Sequence, residues 1–264
     1  MSTLLSTGHA AIITGAASGI GLALARALAA KGVDLALADV DAAGLVAAQR
    51  ELASHGVRVL TQILDVSDPL AVQQAADAFA IALGDIHLLF NNAGIEMTGA
   101  FDTLEMQDWR RTFEVNVFGV ANGIRHFVPL LRRHGGRAHV VNTASTAGFW
   151  VNGNMHMPAY SASKYAVVAI SEGLEQELHG TPIGVSVLCP GPVATAIAER
   201  SSRASEQLRA AVASGTTAER AAEITLAGIE QGEFFIFTPN QIEPRVRERA
   251  ERILSAMHRS AAPA

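Results

Sequence analysis

Short runs of apolar, often β-branched residues alternate along the chain with longer stretches in which apolar residues recur at every third or fourth position. The runs predict β-strands, and the stretches predict amphipathic helices. Residues 35–38 are apolar at consecutive positions, as expected for a strand that helices cover on both faces. The pattern therefore predicts an α/β fold, with a doubly wound parallel sheet in a single domain over residues 1–264. Seven strands are predicted, over residues 9–14, 33–38, 57–64, 86–90, 137–142, 183–189 and 233–238.

The end of the chain predicts one further helix. Ile242, Val246, Ile253 and Met257 follow one another at helical spacing, and charged residues occupy many of the positions between them. The spacing predicts an amphipathic helix over about 242–258. We expect its apolar side to pack on its own domain or on a neighbouring subunit rather than to bind a ligand.

Composition and charge narrow the possible classes of protein. Of the 264 residues, 49% are hydrophobic and 17% are charged, with a formal net charge of −5, so neither a disordered chain nor a nucleic-acid-binding surface is expected. The low charged fraction fits a surface partly buried against other subunits. The single cysteine, Cys189, cannot form an intrachain disulfide, and the start of the sequence lacks the basic region of a secretory signal, so a cytoplasmic location is expected. No apolar run predicts a membrane span, and no histidine or cysteine spacing predicts a metal site.

A glycine-rich turn follows the first predicted strand. Residues 14–21 read Thr-Gly-Ala-Ala-Ser-Gly-Ile-Gly and lead directly into a helix. A pyrophosphate needs this arrangement, because glycine lets the backbone approach closely while the helix N-terminus supplies N–H donors and partial positive charge. The spacing differs from the G-x-G-x-x-G dinucleotide motif, so the turn alone does not separate a cofactor site from an ordinary turn. The candidate cofactor residues here are Gly15, Ala17, Ser18, Gly19, Ile20 and Gly21.

A carboxylate ends the second predicted strand. Asp39 lies 20 residues after the second glycine of the turn, where it can accept hydrogen bonds from the adenosine ribose diol. The 2′-phosphate of NADP would meet a like charge there, so NAD is the expected cofactor. After the third strand, Asp65 and Val66 stand where a carboxylate can meet the adenine amino group. Helix capping is the alternative: it is strong for Asp41, weaker for Asp39, and equally good for Asp65 or Ser67.

Polar residues also end the fourth and fifth predicted strands. Residues 91–94, Asn-Asn-Ala-Gly, follow the fourth strand, and Ser145 follows the fifth. Open α/β sheets bind ligands at these carboxyl ends. Tyr160 and Lys164 are four residues apart at the start of the next predicted helix, so their side chains share one face.

Taken together in this order, the motifs resemble the short-chain dehydrogenase/reductase family, in the subgroup with chains of about this length. The resemblance covers nearly the whole chain. It implies a Rossmann-like fold and an NAD-dependent oxidoreductase that acts on a secondary alcohol or ketone, with an apolar or aromatic substrate favoured. The matching residues are 14–21, 91–94, Asn116, Ser145, Tyr160, Lys164 and 190–195.

The resemblance assigns catalytic roles to Asn116, Ser145, Tyr160 and Lys164. Hydride transfer at a carbinol carbon requires a proton to leave or join the oxygen, and Tyr160 is the candidate acid/base. A phenol titrates near ~10, so the Lys164 ammonium and the positive ring of oxidised nicotinamide are expected to lower its pKa. By the same resemblance, Ser145 would donate to the substrate oxygen, Lys164 would bind the nicotinamide ribose, and Asn116 would hold a water that links Lys164 to solvent. The remaining implied cofactor contacts are Asn92, Ala93 and Gly94 on the adenine-ribose side, and Pro190, Gly191, Val193 and Thr195 towards the nicotinamide amide.

The loop before Tyr160 is implied to wall the substrate pocket. Trp150 and Met155 would supply apolar surface there, although each is equally well explained as a core or subunit contact. His156 is expected to be solvated or structural rather than catalytic.

A mobile flap over the substrate is implied for about 192–215, where large apolar residues are few. Its Arg200 and Arg203 are expected to face solvent rather than to bind an acidic group of the substrate.

Two other functions fit the same sequence. An NAD-dependent epimerase or dehydratase would need a second acid/base beside Tyr160, and Glu96 is the one nearby carboxylate that the sequence offers. A nucleotide-sensing protein could keep the fold without turnover, although it would need no acid/base.

Self-association is implied as well. Members of the family are commonly tetramers built on the long helices after the fourth and fifth strands, here near 109–131 and 159–179. A homotetramer or homodimer is therefore expected.

Overall fold

The computed structural model of the chain describes residues 4–195 and 206–261. Its centre is a sheet of seven parallel strands, and each of them overlaps its predicted range, which confirms the predicted fold class. A separate pair of two-residue strands was not predicted. In chain order the strands are β1 Ala10–Thr14, β2 Asp34–Asp39, β3 Val59–Ile63, β4 Leu88–Asn91, β5 Ala138–Thr143, β6 Ile183–Cys189, β7 Val193–Ala194, β8 Thr216–Thr217 and β9 Phe235–Phe237.

Helices cover both faces of the large sheet. One apolar cluster joins α1, α2 and α8 to one face, and a second joins α3, α5 and α6 to the other. Successive side chains of a strand point to opposite faces of the sheet, so in β1 Ile13 packs in the first cluster and Ile12 in the second. The helices are α1 Gly19–Ala29, α2 Ala42–Leu52, α3 Pro69–Leu83, α4 Met106–Phe113, α5 Gly119–Arg133, α6 Pro158–Leu178, α7 Glu206–Ala213, α8 Ala218–Gln231 and α9 Glu243–Ala261.

The strand order places a crevice at the carboxyl ends of the strands. The order is β3-β2-β1-β4-β5-β6-β9, so the chain runs outwards from β1 to one edge and then returns to build the other half. The order reverses between β1 and β4, which is where open α/β sheets bind nucleotides. The glycine turn after β1 and residues 91–94 at and after β4 both lie at this switch point.

The two short strands bracket the segment predicted to be a flap. β7 pairs with β8 through Val193 and Thr216, and α7 lies between them in sequence. This pairing brings the two ends of the segment together. Arg200 and Arg203 lie outside the described residues.

The C-terminal helix is confirmed as an element, with α9 running slightly beyond the predicted end. Its first turns touch the domain, because the Arg245 guanidinium lies 6.0 Å from the Trp150 ring and that of Arg249 lies 5.2 Å from the Tyr165 ring. The later turns are exposed, including Leu254 and Met257. Packing on its own domain is therefore limited to the start of the helix.

None of the helices within residues 4–195 and 206–261 combines the length and the apolar character that a membrane span requires.

Candidate active site

The glycine turn presses closely against the segment after β4. Gly15 has a φ of +66°, and a Cβ atom there would lie 2.8 Å from the Cα of Ala93. A larger residue is excluded both by the backbone conformation and by the lack of space. The turn leads into α1 at Gly19, where the first-turn N–H groups have no acceptor within the helix. A pyrophosphate fits such an N-terminus.

Thr14 and Asn92 hold this turn in place. The Thr14 hydroxyl accepts the backbone N–H of Asn92 at 3.0 Å and that of Ala93 at 3.1 Å. The Asn92 side-chain amide donates to the carbonyl oxygens of Thr14 at 3.0 Å and Gly15 at 3.3 Å. Asn92 was predicted as a cofactor contact, and the structure shows that its amide also braces the turn.

Asp39 lies at the same turn and is only 8% exposed. Its Oδ2 accepts the Ala17 N–H at 3.0 Å, and its Oδ1 accepts the Asp41 N–H at 3.0 Å. These bonds fix the orientation of the carboxylate beside the glycine turn. Asp41 caps α2 by accepting the Gly44 N–H, as its capping alternative predicted.

Asp65 is held by a partner that the sequence did not indicate. The Arg111 guanidinium of α4 donates to Asp65 Oδ2 at 2.8 Å and to the Ser67 hydroxyl at 2.8 Å. Burial raises the pKa of Asp65, but hydrogen bonds from Ser67 and Arg111 outweigh it, so the pKa lies below its ordinary value. Val66 packs against Gly119 at the start of α5. The carboxylate is thus charged and oriented at the end of β3.

Three of the four predicted catalytic side chains, those of Ser145, Tyr160 and Lys164, come together beyond the end of β5. Ser145 follows β5, and its hydroxyl accepts the Ala147 N–H at 3.1 Å. It also lies close enough to Tyr160, in the first turn of α6, to lower the pKa of the phenol. One turn later, Lys164 donates to the Thr143 carbonyl at 2.8 Å, and its Nζ lies 5.4 Å from the centre of the Tyr160 ring. Thr143 was not predicted, because a backbone acceptor carries no side-chain signal in the sequence.

Taken together, the protein groups around Tyr160 raise its pKa. Burial raises the pKa of the phenol, the Glu96 carboxyl raises it further, and the hydrogen bond with Ser145 lowers it. Burial also lowers the pKa of Lys164, to about 8. The pKa of the phenol thus lies above its ordinary value in the protein by itself, and the lowering expected from Lys164 together with oxidised nicotinamide stays a prediction. A phenolate therefore depends on further positive charge at the site.

Asn116 lies in a π-helical turn, Glu114–Phe118, between α4 and α5. Its Oδ1 accepts the Ile95 N–H at 2.8 Å, while its Nδ2 donates to the Ile95 carbonyl at 2.9 Å and to the Ser163 hydroxyl at 3.0 Å. The side-chain amide is therefore engaged by protein groups. The predicted role of Asn116 in holding a water next to Lys164 stays a prediction.

Apolar side chains cover Tyr160. Met157 and Leu208 form a buried cluster, and Met155, Tyr160 and Val212 pack against it. Leu208 and Val212 belong to α7, so this helix packs beside Tyr160, and the mobile flap over the substrate stays a prediction.

His156 has a structural place, as predicted. Its side chain is exposed, its φ is +52°, and its carbonyl accepts the Gly99 N–H at 2.8 Å. Trp150 lies beneath Arg245 of α9.

The segment after β6 also reaches the cofactor crevice. The Pro190 carbonyl accepts the Thr146 N–H at 2.8 Å, and the Gly191 N–H donates to the Thr238 hydroxyl at 2.9 Å. Val193 is buried in β7, and a Cβ atom on Gly19 would lie 3.2 Å from the Thr195 methyl group. The predicted nicotinamide side and the glycine turn thus meet.

These groups fit a dinucleotide. A backbone cradle too tight for a Cβ, a helix N-terminus and two oriented carboxylates lie on one side, and the catalytic side chains lie on the other. In the part of the chain that the structure describes, no group of three or more His, Cys, Asp or Glu side chains is placed to hold a metal ion.

The comparisons with known proteins agree with this site. The sequence matches the family profile described as short chain dehydrogenase over residues 9–206. It is 36% identical over 242 residues to the 1-deoxy-11-beta-hydroxypentalenate dehydrogenase of Streptomyces avermitilis, covering 90% of this chain and 87% of that relative. A solved short chain dehydrogenase/reductase from Burkholderia phymatum, in complex with NAD, superposes with a TM-score of 0.91 at 38% identity, over 97% of each chain. The apo form of LigD from Sphingobium sp. strain SYK-6 superposes with a TM-score of 0.79 at 31% identity, over 98% of this chain and 99% of that one.

Proposed function

Since the chain belongs to the short-chain dehydrogenase/reductase family, we propose that it transfers a hydride between NAD and a secondary alcohol or ketone, with Tyr160 as the acid/base. The observation that carries the proposal is the convergence of Ser145, Tyr160 and Lys164 at the carboxyl edge of the sheet. The Streptomyces avermitilis and Burkholderia phymatum dehydrogenases match over 90% and 97% of this chain.

Oxidation of a secondary alcohol removes a hydride from carbon and a proton from oxygen. When bound beside these residues, NAD would supply the hydride acceptor and a positively charged nicotinamide ring that favours the Tyr160 phenolate. The Ser145 hydroxyl donates to the substrate oxygen and holds it beside the phenol, and Tyr160 takes the proton. Lys164, oriented by its bond to the Thr143 carbonyl, presents an ammonium next to the phenol. Reduction runs through the same groups in reverse.

A preference for NAD over NADP is supported by Asp39. Its carboxylate is held by Ala17 and Asp41, and the remaining lone pairs are suited to the ribose hydroxyls. A 2′-phosphate would lie against a buried negative charge. Titration of each nucleotide by fluorescence tests this preference, and tighter binding of NADP would contradict it.

An apolar or aromatic substrate is favoured by the apolar side chains that pack beside Tyr160, namely Met155, Met157, Leu208 and Val212. A panel of secondary alcohols, with NADH absorbance as the readout, identifies the class of substrate that the protein oxidises.

The main test is Tyr160→Phe. The variant should bind NAD like the wild type and lose at least about a hundredfold in kcat. Near-normal hydride transfer by a folded Tyr160→Phe protein would refute the mechanism. Net accumulation of NADH also separates an oxidoreductase from an epimerase, which returns the hydride to its product.

We also infer a cytoplasmic protein that self-associates as a homotetramer or homodimer. Exposed apolar residues on and beside the predicted interface helices support the assembly, namely Phe101, Met106 and Phe118, and so do Leu254 and Met257 of α9. The buried free thiol of Cys189 is compatible with a reducing compartment. A monomer in sedimentation velocity would contradict the assembly.

A further inference from the structure

A buried carboxyl lies near Tyr160 and has no part in the mechanism above. Glu96 is 7% exposed, and the segment that carries it lies against the site, because a Cβ atom on Gly94 would be 3.5 Å from Lys164 Nζ. The Glu96 carboxyl also raises the pKa of the Tyr160 phenol. Its Oε1 is fully buried, and among the described residues nothing hydrogen-bonds it. A buried polar atom without a partner is costly, so a ligand that supplies the missing bond gains affinity.

The backbone holds this carboxyl in place from both sides. The residue before it, Ile95, is bound through both its N–H and its carbonyl to Asn116. Three residues later, the Gly99 N–H donates to the His156 carbonyl, in the loop that leads to Tyr160. The loop cannot easily withdraw Glu96 from the tyrosine, because bonds to two other segments would have to break.

The protonation state of the Glu96 carboxyl suits recognition of an uncharged hydroxyl or carbonyl oxygen. Burial raises the pKa of Glu96 to about 7, so the protonated acid is well populated at neutral pH. A protonated carboxyl both donates and accepts a hydrogen bond, and can therefore pair with either a hydroxyl or a carbonyl. The apolar cluster around Tyr160 offers no comparable group.

We propose that Glu96 recognises a second oxygen of the substrate, a hydroxyl or carbonyl close to the reacting carbinol. The preferred substrates are then apolar diols, hydroxyketones or diketones rather than simple alcohols. This inference rests on the proposed oxidoreductase function and deepens it. A site that hydrogen-bonds a substrate oxygen discriminates strongly against the analogue that lacks it, because its own buried group is then left unpaired.

The test compares alcohols that differ by one hydroxyl group. The pairs are 1-phenylethanol with 1-phenyl-1,2-ethanediol, and cyclohexanol with trans-1,2-cyclohexanediol. For the wild type we expect kcat/KM to be at least about tenfold higher for the diol of a pair. Glu96→Met should bring the ratio close to one by losing the diol while keeping the simple alcohol, and Glu96→Gln should keep part of the preference. Glu172→Gln, the same exchange at an exposed position of α6, should leave the ratio unchanged.

Two failures can be told apart. If the simple alcohols are oxidised but the wild type shows no preference, or if Glu96→Met keeps the preference, Glu96 does not recognise the second oxygen. If none of the four alcohols yields NADH, the proposed function in this substrate class fails, and the inference about Glu96 falls with it. NAD binding by each variant, measured by fluorescence, shows that the cofactor site is intact.

Discussion

The side-chain amide of Asn116 binds both polar backbone atoms of Ile95, with Oδ1 accepting the N–H at 2.8 Å and Nδ2 donating to the carbonyl at 2.9 Å. Nδ2 also donates to the Ser163 hydroxyl, which in turn donates to the Tyr160 carbonyl at 2.7 Å. One amide thus connects the loop after β4 to the first turn of α6. These are the two segments that carry Glu96 and Tyr160.

Replacing Asn116 should cost both stability and turnover. Asn116→Leu leaves the Ile95 N–H, the Ile95 carbonyl and the Ser163 hydroxyl without this partner, and we expect a loss of about 2–4 kcal/mol in the free energy of unfolding. Asn116→Asp keeps only the acceptor for the Ile95 N–H, so its free energy of unfolding should lie between those of the wild type and Asn116→Leu. Urea denaturation measures the loss, and kcat on the best alcohol of the panel should fall with it. Wild-type stability of Asn116→Leu would show that the connection is not needed.

Lys164→Met should stabilise the protein while abolishing its activity. Burial lowers the pKa of Lys164 to about 8, against about 10.4 in the unfolded chain, so the native state binds fewer protons between these values. The cost of burying the ammonium is therefore fully present below pH 8 and is relieved as the pH rises towards 10. After allowing for the lost bond to the Thr143 carbonyl, we expect the variant to be about 2 kcal/mol more stable at pH 7.

Thermal or urea unfolding at pH 7 and pH 10 measures this difference for Lys164. Lys31→Met, at an exposed position after α1, serves as the control and should change stability little at either pH. A destabilised Lys164→Met protein at pH 7 would mean that the buried ammonium is better compensated than its lowered pKa indicates.

Glu96→Gln should remove a pH dependence of stability. Burial raises the pKa of Glu96 to about 7, above its unfolded value of about 4.3, so the native state binds the extra proton. The wild type should therefore lose stability as the pH rises from about 4.5 to 7, and above that the loss is complete at roughly 3 kcal/mol. The variant should lack this slope, so the stability of Glu96→Gln relative to wild type should increase across the window. Parallel slopes for the two proteins would show that Glu96 is already ionised at acidic pH.

Arg111→Met should weaken NAD binding without much effect on folding. The ion pair of Arg111 with Asp65 is partly exposed, with each side chain 40% accessible, so it contributes less than about 1 kcal/mol to stability. Asp65 nevertheless loses the group that orients it, and we expect the Kd for NAD to rise roughly fivefold to tenfold. Arg132→Met, which breaks the exposed pair with Glu177, is the matched control and should leave the Kd unchanged. Equal effects of the two variants on the Kd for NAD would show that Arg111 has no specific role in cofactor binding.

The sequence by itself determined the fold class and the central chemistry. Strand and helix periodicities are local properties, and they predicted all seven strands of the large sheet and the C-terminal helix. The spacing of Tyr160 and Lys164 predicted their shared face, because helix geometry alone sets it. The β7–β8 pair was missed because two-residue strands are too short to show a period.

Only the tertiary structure decided which partners these residues have. Arg111 and Asp65 are 46 positions apart, and no local spacing joins them. The burial of Glu96 and its effect on Tyr160 likewise depend on the packing of separate segments, as does the exposure of Met257 on the side of the helix that its pattern predicted to be packed. Burial and long-range hydrogen bonds arise when distant elements pack together, whereas the sequence pattern records only which face of each element is apolar.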